Sequence, residues 1–516
     1  MSFFVPIPET GESPTIYAER VGRWYAASVS AEHKKRLGQY MTSADVARFM
    51  ASLWDIPALA VLRILDPGAG AGILSCAICE RLAASPQKTA MLELVAYETD
   101  DELADCLIRS LDYLKHWLQD RNITLKFTVR RDDFILAHAS VLGDTPGLFD
   151  LTNEASRFDT VIANPPYFKL PKSDPRACAA EAVVHGQPNI YALFMAIAAK
   201  LLRPDGQLIF VTPRSYTAGP YFRRFREQFF AGVRPEMIHL FDSRRDAFSQ
   251  DEVLQENIIL AARRADGWSS GLDGKTVRVS ASVGSSDLAG RAQRETPLRE
   301  VLDMTSRDKV LRIPTTAADD ITAGVVRGWS GCLHAYGLQI STGPVVAFRA
   351  AGLLRHTGDV SGDHAPLLWM QNVRPMQVSW PVANRGKEQY IASGPASASL
   401  LLPDRNYVLL RRFSAKEQDH RLTAAPLLAG QLGSALIGLE NHLNYIHRPG
   451  GELTNEEAFG LAVLLNSTLL DSYFRTFNGN TQVSATELRA LPLPPLEAIC
   501  EMGRRAMTMS PKEEQS

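Results

Sequence analysis

The sequence predicts a doubly wound α/β domain followed by an irregular α+β domain. Three observations carry that prediction: the length, a regular strand–helix alternation in the first half, and its disappearance in the second. At 516 residues and 45% hydrophobic content, the chain exceeds what one hydrophobic core organises, so two or three domains are expected. From Val61 to about Arg263, short apolar runs alternate with longer amphipathic stretches, the pattern of a mostly parallel sheet with crossover helices.

Taken in order, strands are expected at Val61–Leu65, Leu92–Tyr97, Leu125–Val129, Phe158–Ala163, Gln207–Val211, Met237–Phe241 and Glu256–Ala261. Apolar residues recur at helical spacing over Asp101–Gln119, Asn189–Leu202 and Tyr221–Phe230, and Arg203-Pro204-Asp205-Gly206 is a stop and turn. The Gly/Ser-rich stretch Gly267–Gln293 contains strand-like alternation at Thr276–Val283 and reads as a linker carrying a hairpin. Beyond residue 300, short strands between Gly/Pro turns (GPVVAFRAAGLL, NYVLLRRF) replace the alternation. The expected organisation is therefore an α/β domain over 1–265, a linker over 266–298, a second domain over 299–505 and a tail over 506–516.

With 55 basic and 57 acidic residues, the net charge is -2, which excludes a protein that holds nucleic acid by being uniformly basic. Any such grip must come from local Arg and Lys clusters. The six cysteines (Cys76, Cys79, Cys106, Cys178, Cys332, Cys500) have no framework spacing and read as reduced thiols. Cys76 and Cys79 form a C-x-x-C without a second pair to complete a metal site, so they read as two core helix residues and no metal is expected. Pro and Glu interrupt the N-terminal MSFFVPIPETGESP, which reads as neither signal peptide nor membrane anchor, and a cytoplasmic protein is expected.

Asp66-Pro67-Gly68-Ala69-Gly70-Ala71-Gly72 follows an apolar strand and opens a helix, where a parallel sheet presents its ligand crevice. The dinucleotide spacing G-x-G-x-x-G is not met. Asp66 leads the loop instead, and a carboxylate suits the cationic amino group of a methionine moiety better than it suits a pyrophosphate. Glu98 closes the second strand, where a carboxylate can accept both hydroxyls of a ribose. Asp100 and Asp101 read as acids at a helix N-terminus. Asp133-Phe134 ends the third strand, pairing an acceptor for an adenine amino group with an apolar ring. Each acid alone reads as a solvated turn residue. Three at the carboxyl ends of three successive strands read as a nucleoside pocket.

Asn164-Pro165-Pro166-Tyr167 follows the strand FDTVIA and belongs at the same sheet edge. An exocyclic aromatic amine is a poor nucleophile because its lone pair is delocalised, so acceptors must draw its hydrogens out of plane. The Asn164 side-chain oxygen and the Pro165 carbonyl supply two acceptors, while Pro165 and Pro166 restrict the loop and bring no competing backbone donors. Tyr167 offers a ring on which a base can stack, worth roughly 1–3 kcal/mol against the few kcal/mol of extracting it from a duplex.

With these motifs in this order, the sequence resembles the gamma-class N6-adenine DNA methyltransferases of Type II restriction-modification systems. Leu37-Gly38-Gln39-Tyr40-Met41-Thr42-Ser43 is similar to the family's N-terminal motif that closes over the methionine end of the cofactor. The resemblance maps the cofactor-touching threonine to Thr42, although Thr-Ser stands where the family usually has Thr-Pro, and helix capping by Ser43 or Thr42 is the plainer reading. Leu201–Gly206 with Ile209–Pro213, and LNSTLLDSYFRTFNGNTQVSATELRALPLP near the carboxyl end, resemble later parts of such enzymes. Phe248 matches the aromatic that in relatives packs on the flipped base opposite the tyrosine.

The resemblance implies a class I S-adenosylmethionine-dependent methyltransferase domain, a Rossmann-like doubly wound sheet, with a carboxyl-terminal α+β target-recognition domain. S-adenosylmethionine is the implied cofactor, held by Thr42, Asp66, Gly68, Gly70, Glu98, Asp133 and Phe134. Duplex DNA is the implied substrate, with a cognate restriction endonuclease as functional partner and a monomeric chain. In the second domain, Arg411, Arg412 and Lys416 beside Phe413 are candidates for phosphate contacts, with Arg405, His420 and Arg421 flanking them. Asn478 and Gln482, in an amide-rich segment, are candidates for reading adenine. Methylation of the cytosine exocyclic amine, where Ser more often replaces Asn164, stays open, as does methylation of a protein glutamine.

Overall fold

A computed structural model describes residues 5–509 apart from 40, 88, 144–156, 185–187, 242–255, 272–273, 307, 357–363, 383–385, 415–417 and 480. Phe248 and Lys416 lie outside the described residues. The chain divides into two compact units, Met1–Thr315 and Thr316–Ser516.

The first unit contains β1 (Val61–Pro67), β2 (Met91–Tyr97), β3 (Thr124–Arg130), β4 (Phe158–Ala163), β5 (Leu202–Pro213), β6 (Val233–Phe241), β7 (Asn257–Arg264), β8 (Thr276–Ser282) and β9 (Ala292–Pro297). They form one sheet in the order β3-β2-β1-β4-β5-β7-β6-β8-β9. β3, β2, β1, β4 and β5 are parallel, and β7 lies antiparallel between β5 and β6. Its helices include α1 (Pro14–Ser28), α2 (Ala31–Leu37), α3 (Ala44–Ser52), α4 (Ile73–Ala83), α5 (Asp101–Gln119), α6 (Phe134–His138), α7 (Pro175–Ala179), α8 (Ile190–Leu201) and α9 (Arg223–Gly232).

The central strands read as unbroken apolar runs because both faces are covered. Leu65, Val161, Leu208 and Phe210 pack with α6, α8 and α9 on one side. Their neighbours Ile64, Ile162, Ile209 and Val211 pack with α3, α4 and α5 on the other. Cys76 and Cys79 are buried in α4, as core residues. The turn expected at Arg203–Gly206 is absorbed into the start of β5, where Asp205 alone takes a left-handed conformation (φ 60°).

Residues 266–298, expected as a linker, belong to the first unit instead. β8 runs parallel to β6, and β9 closes the sheet edge antiparallel to β8. An edge strand with one solvated face carries little apolar signal: in β9 only Thr296 is buried.

In the second unit, Gln339–Thr342, Leu443–His447, Tyr407–Arg411 and Ala424–Leu427 make a four-stranded sheet in that order. A five-stranded sheet joins Leu354–Arg355, Tyr390–Ala392, His364–Leu368, Leu436–Leu439 and Leu401–Pro403. Helices Asn455–Leu465 and Leu496–Met509 approach at glycines: a Cβ on Gly460 would strike the Ile499 carbonyl, and one on Gly503 the Glu456 backbone. No helix among the described residues is long and apolar enough to cross a membrane.

Candidate active site

β1 and β4 lie side by side and parallel, with Leu65 opposite Val161, at the point where the strand order reverses. A crevice opens at the carboxyl ends of such a pair because the following connections leave toward opposite faces. β1 runs into the glycine loop there, and β4 into Asn164-Pro165-Pro166-Tyr167. Gly68, Gly70 and Gly72 hold φ of 84°, 57° and 87°, a region that suits glycine. The N–H groups of Gly68 and Ala69 donate to the Tyr97 carbonyl (3.0 and 2.8 Å), tying the loop to the end of β2. A Cβ on Gly70 would meet nothing within 4 Å.

Both turns open on one cavity of about 770 Å³, lined by Gly68 and Gly70 from one and by Asn164 and Pro166 from the other. A second cavity of about 1270 Å³ shares Met41, Gly68, Gly70 and Asn164 with it and extends past Thr42 and Ser43 to Glu19 and Arg23 of α1. Ser285, in the loop after β8, lines this second cavity, so the segment expected as a linker also supplies part of the site.

Glu98 faces the first cavity and is 9% exposed. Its Oε2 accepts from the Gly70 N–H (3.1 Å) and its Oε1 from the Asp100 N–H (2.9 Å). Burial pushes its carboxyl up to about 7, against these bonds, which favour the ionised form. Asp100 caps α5 through the Leu103 N–H, with Asp101 in the first turn, and its other oxygen meets His33 Nε2 at 2.8 Å. Asp133 lines the cavity while its Oδ1 caps α6 through the N–H groups of Ile135 and Leu136. Phe134 is buried beneath it, tilted against Phe194 with ring centroids 5.1 Å apart.

Asp66 is placed differently from the expectation. It is fully buried and does not line either cavity; its Oδ2 accepts from the Ser75 hydroxyl at 2.6 Å, joining the end of β1 to the first turn of α4. Burial pushes its carboxyl up to about 7 as well. The acid that leads the loop therefore braces it from behind.

Asn164 lines both cavities. Its Nδ2 donates to Thr42 Oγ1 at 3.0 Å, and its Oδ1 accepts from the Tyr167 hydroxyl at 2.5 Å. The same hydroxyl lies 3.1 Å from the Val211 carbonyl at the end of β5. The half-buried Tyr167 ring meets Tyr191 edge-on at 6.2 Å. Pro165 is buried. Capping of α3 falls to Ser43, whose hydroxyl accepts from the Val46 N–H, which leaves Thr42 to Asn164.

The model of a family described as Eco57I restriction-modification methylase matches residues 86–248. The chain is 32% identical over 466 residues to the Type II methyltransferase M.PstI of Providencia stuartii, covering 90% of this chain and 88% of that one. It is 32% identical over 476 residues to the Type II methyltransferase M.BsuBI of Bacillus subtilis, covering 92% and 90%. The chain belongs to the Type II methyltransferases of restriction-modification systems. The fold of this methyltransferase is also similar to that of a nuclease-deletion mutant of the Type ISP restriction-modification enzyme LlaGI, with a TM-score of 0.50 at 12% identity, covering 94% of this chain and 56% of that one.

S-adenosylmethionine is the cofactor expected of this methyltransferase, and the residues present fit it. Glu98 offers a buried carboxylate toward the first cavity, Asp133 and Phe134 an acceptor beside an aromatic wall, and the glycine loop a backbone that a ligand can approach closely. Sequence reasoning missed Phe194, Ile190, Phe168 and Arg176, which line the same cavity. Phe194 and Ile190 sit in a helix that is apolar on every side, so nothing local distinguishes the residues facing a ligand.

In the second unit of the methyltransferase, Asn478 is 2% exposed and fully engaged. Its Oδ1 accepts from Arg421 Nη2 (2.7 Å), and its Nδ2 donates to Glu487 Oε2 (3.0 Å) and the Gln482 carbonyl (3.2 Å). It is a structural brace, not a reader of bases, and Arg421, 1% exposed, shares that role. Arg411 Nε donates to the Val373 carbonyl (2.7 Å) and Arg412 Nη1 to the Asn441 carbonyl (2.9 Å), so both half-buried guanidiniums spend donors on the fold. The Gln482 side chain turns its oxygen to Arg412 Nε at 2.9 Å.

Proposed function

We propose that this methyltransferase transfers a methyl group to N6 of an adenine turned out of duplex DNA, within a short recognition sequence, as the protective member of a gamma-class Type II restriction-modification system. The observation that carries the proposal is that the glycine loop and the Asn164-Pro165-Pro166-Tyr167 turn open on one cavity. On this reading Glu98 accepts the ribose hydroxyls, Asp133 and Phe134 receive the adenine end, and Gly68 and Gly70 admit the remainder of the cofactor. Bound there, S-adenosylmethionine supplies a methyl group on a sulfonium, already a good leaving group. Asn164 Oδ1 and the Pro165 carbonyl would accept hydrogen bonds from the two N6 hydrogens, drawing the amine lone pair out of the ring plane toward the methyl donor; the thioether leaves and the extra N6 proton is lost afterwards. Tyr167 presents its ring to the extruded base. The second unit holds the DNA, and the remaining guanidinium donors of Arg411 and Arg412 are available to phosphates. A cognate endonuclease and a monomeric chain belong to the same reading.

Labelled methyl transfer to duplex DNA, followed by separation of the nucleosides, tests it, with N6-methyladenine as the expected product. Asn164→Ala is expected to keep cofactor affinity and lose about 100-fold or more in turnover, the scale of removing one aimed acceptor. Label in N4-methylcytosine or in protein glutamine would reject the adenine assignment; near-normal turnover of Asn164→Ala would reject the assigned role.

A further inference from the structure

We propose that Glu19 and Arg23 of α1 receive the amino-acid end of S-adenosylmethionine, Glu19 accepting from its ammonium group and Arg23 pairing with its carboxylate. The proposal concerns the cofactor alone and does not depend on which base is methylated.

The amino-acid end carries one positive and one negative charge, and each needs a partner once it leaves water. Asp66, expected from the sequence to meet the ammonium, is fully buried, is bonded to Ser75 and lines neither cavity. The partner of the ammonium therefore lies elsewhere. With the adenosine end at Glu98 and Asp133 in the first cavity and the reacting centre at Asn164, the rest of the cofactor continues into the second cavity, which shares Gly68, Gly70 and Asn164 with the first. Among the described residues, three charged side chains line that second cavity: Glu19, Arg23 and Asp45.

Glu19, Gly22 and Arg23 share one face of α1, at positions i, i+3 and i+4. Gly22 is where that face meets the glycine loop: a Cβ there would lie 3.4 Å from Ala71 Cβ and 3.6 Å from Met41 Sδ. The close approach sets an acid and a base beside the loop. Glu19 is also held from α3, because its Oε1 accepts from the Ala44 N–H at 3.0 Å while it pairs with Arg23 Nη2 at 2.8 Å. Both contacts fall on Oε1. Among the described residues no donor meets Oε2, which leaves that oxygen to accept from an ammonium.

The Glu19 side chain is 14% exposed and that of Arg23 55%. The acid is thus the sheltered member, where a charge-assisted bond is strong, and the arginine the solvated one. An ammonium on Glu19 and a carboxylate on Arg23 would surround the existing pair with charges of alternating sign and leave none unpaired. Asp45 is exposed in the first turn of α3, where a carboxylate favours the helix dipole without any ligand.

Calorimetry on the full chain with three thioether nucleosides tests the proposal. S-adenosylhomocysteine keeps both charged groups, its decarboxylated form keeps only the ammonium, and 5′-methylthioadenosine has neither. No DNA is present, so the result stands apart from the base assignment, and melting temperatures report folding. The wild type is expected to bind S-adenosylhomocysteine at least about 10-fold more tightly than methylthioadenosine; equal affinities would overturn the proposal before any variant is made. Glu19→Gln keeps an oxygen for the Ala44 N–H, and is expected to weaken both amine-bearing ligands about 10-fold with methylthioadenosine within about twofold. Arg23→Gln is expected to weaken S-adenosylhomocysteine about threefold, the scale of a solvated pair, with the decarboxylated form within about twofold. Equal losses on all three ligands in Glu19→Gln would reduce Glu19 to a tie between α1 and α3, and unchanged affinities would remove it from the site. An Asp45→Asn chain that reproduces the Glu19→Gln pattern would move the ammonium to Asp45, and equal losses on both amine-bearing ligands in Arg23→Gln would remove the carboxylate assignment.

Discussion

Lowering the pH should release the cofactor through Glu98. Burial lifts this carboxyl to about 7, so in the free protein it is half protonated near neutrality and neutral at mildly acidic pH. Hydroxyl donors favour the carboxylate, which makes binding proton-releasing: affinity is full well above 7 and declines as the pH falls through it. If only the ionised form binds, the decline approaches tenfold per pH unit, and between about pH 8 and pH 5.5 it reaches about 30-fold. Folding has the opposite sign. A carboxyl raised above its unfolded value destabilises the free protein once ionised, so Glu98 favours the folded state below the ordinary carboxylate range and loses that contribution as the pH rises toward 7. Calorimetric titration of S-adenosylmethionine across this range, on the wild type and Glu98→Gln, separates Glu98 from its surroundings. Asp100 lies one hydrogen bond away and His33 two, and Asp66 is raised to the same range, but all three remain in the variant. The expected result is a steep wild-type dependence and a weaker, flat one for Glu98→Gln. A flat wild-type curve, or a slope that survives in Glu98→Gln, would refute the assignment.

Two further substitutions separate folding from function. Gly72→Ala forces a left-handed residue at φ 87° and brings a Cβ within 2.8 Å of Leu107 Cδ1, so chemical denaturation should show about 2 kcal/mol less stability. Asn478→Ala strands Arg421 and Glu487, both buried, and should cost about 2–4 kcal/mol, seen as a lower melting temperature with DNA affinity near wild type below it; lost DNA affinity at unchanged stability would restore Asn478 as a reader.

What could be read locally in the sequence is what the chain encodes locally. β4 and α5 coincide with their expected spans, because an apolar run and an amphipathic run each end on turn or capping residues. The two turns at the strand ends were legible for the same reason. The alternation at Thr276–Val283 marked β8, but β9 and the pairing of both strands to the main sheet were not legible: a solvated edge looks like a linker when its apolar residues number one or two. Asn478 misleads in the other direction. An amide in a polar, glycine-containing segment looks available, and only its pairing with Arg421, 57 positions earlier, shows it buried. Asp66 looked like a ligand because it leads the loop; its partner Ser75 lies in the first turn of the next helix, and nothing in the sequence says which way the carboxylate points.

The division of labour at the site follows from the same distinction. A parallel sheet delivers the ends of β1, β2 and β4 to one edge whatever their side chains, so the glycine loop and the Asn164-Pro165-Pro166-Tyr167 turn adjoin by topology. Topology does not orient an amide. One hydrogen bond reaches that amide from outside the sheet: Asn164 Nδ2 donates to Thr42 Oγ1, 122 positions earlier and in no strand. The amino-terminal segment closes one wall of the cavity through Gly38 and Met41 and reaches the catalytic turn through Thr42.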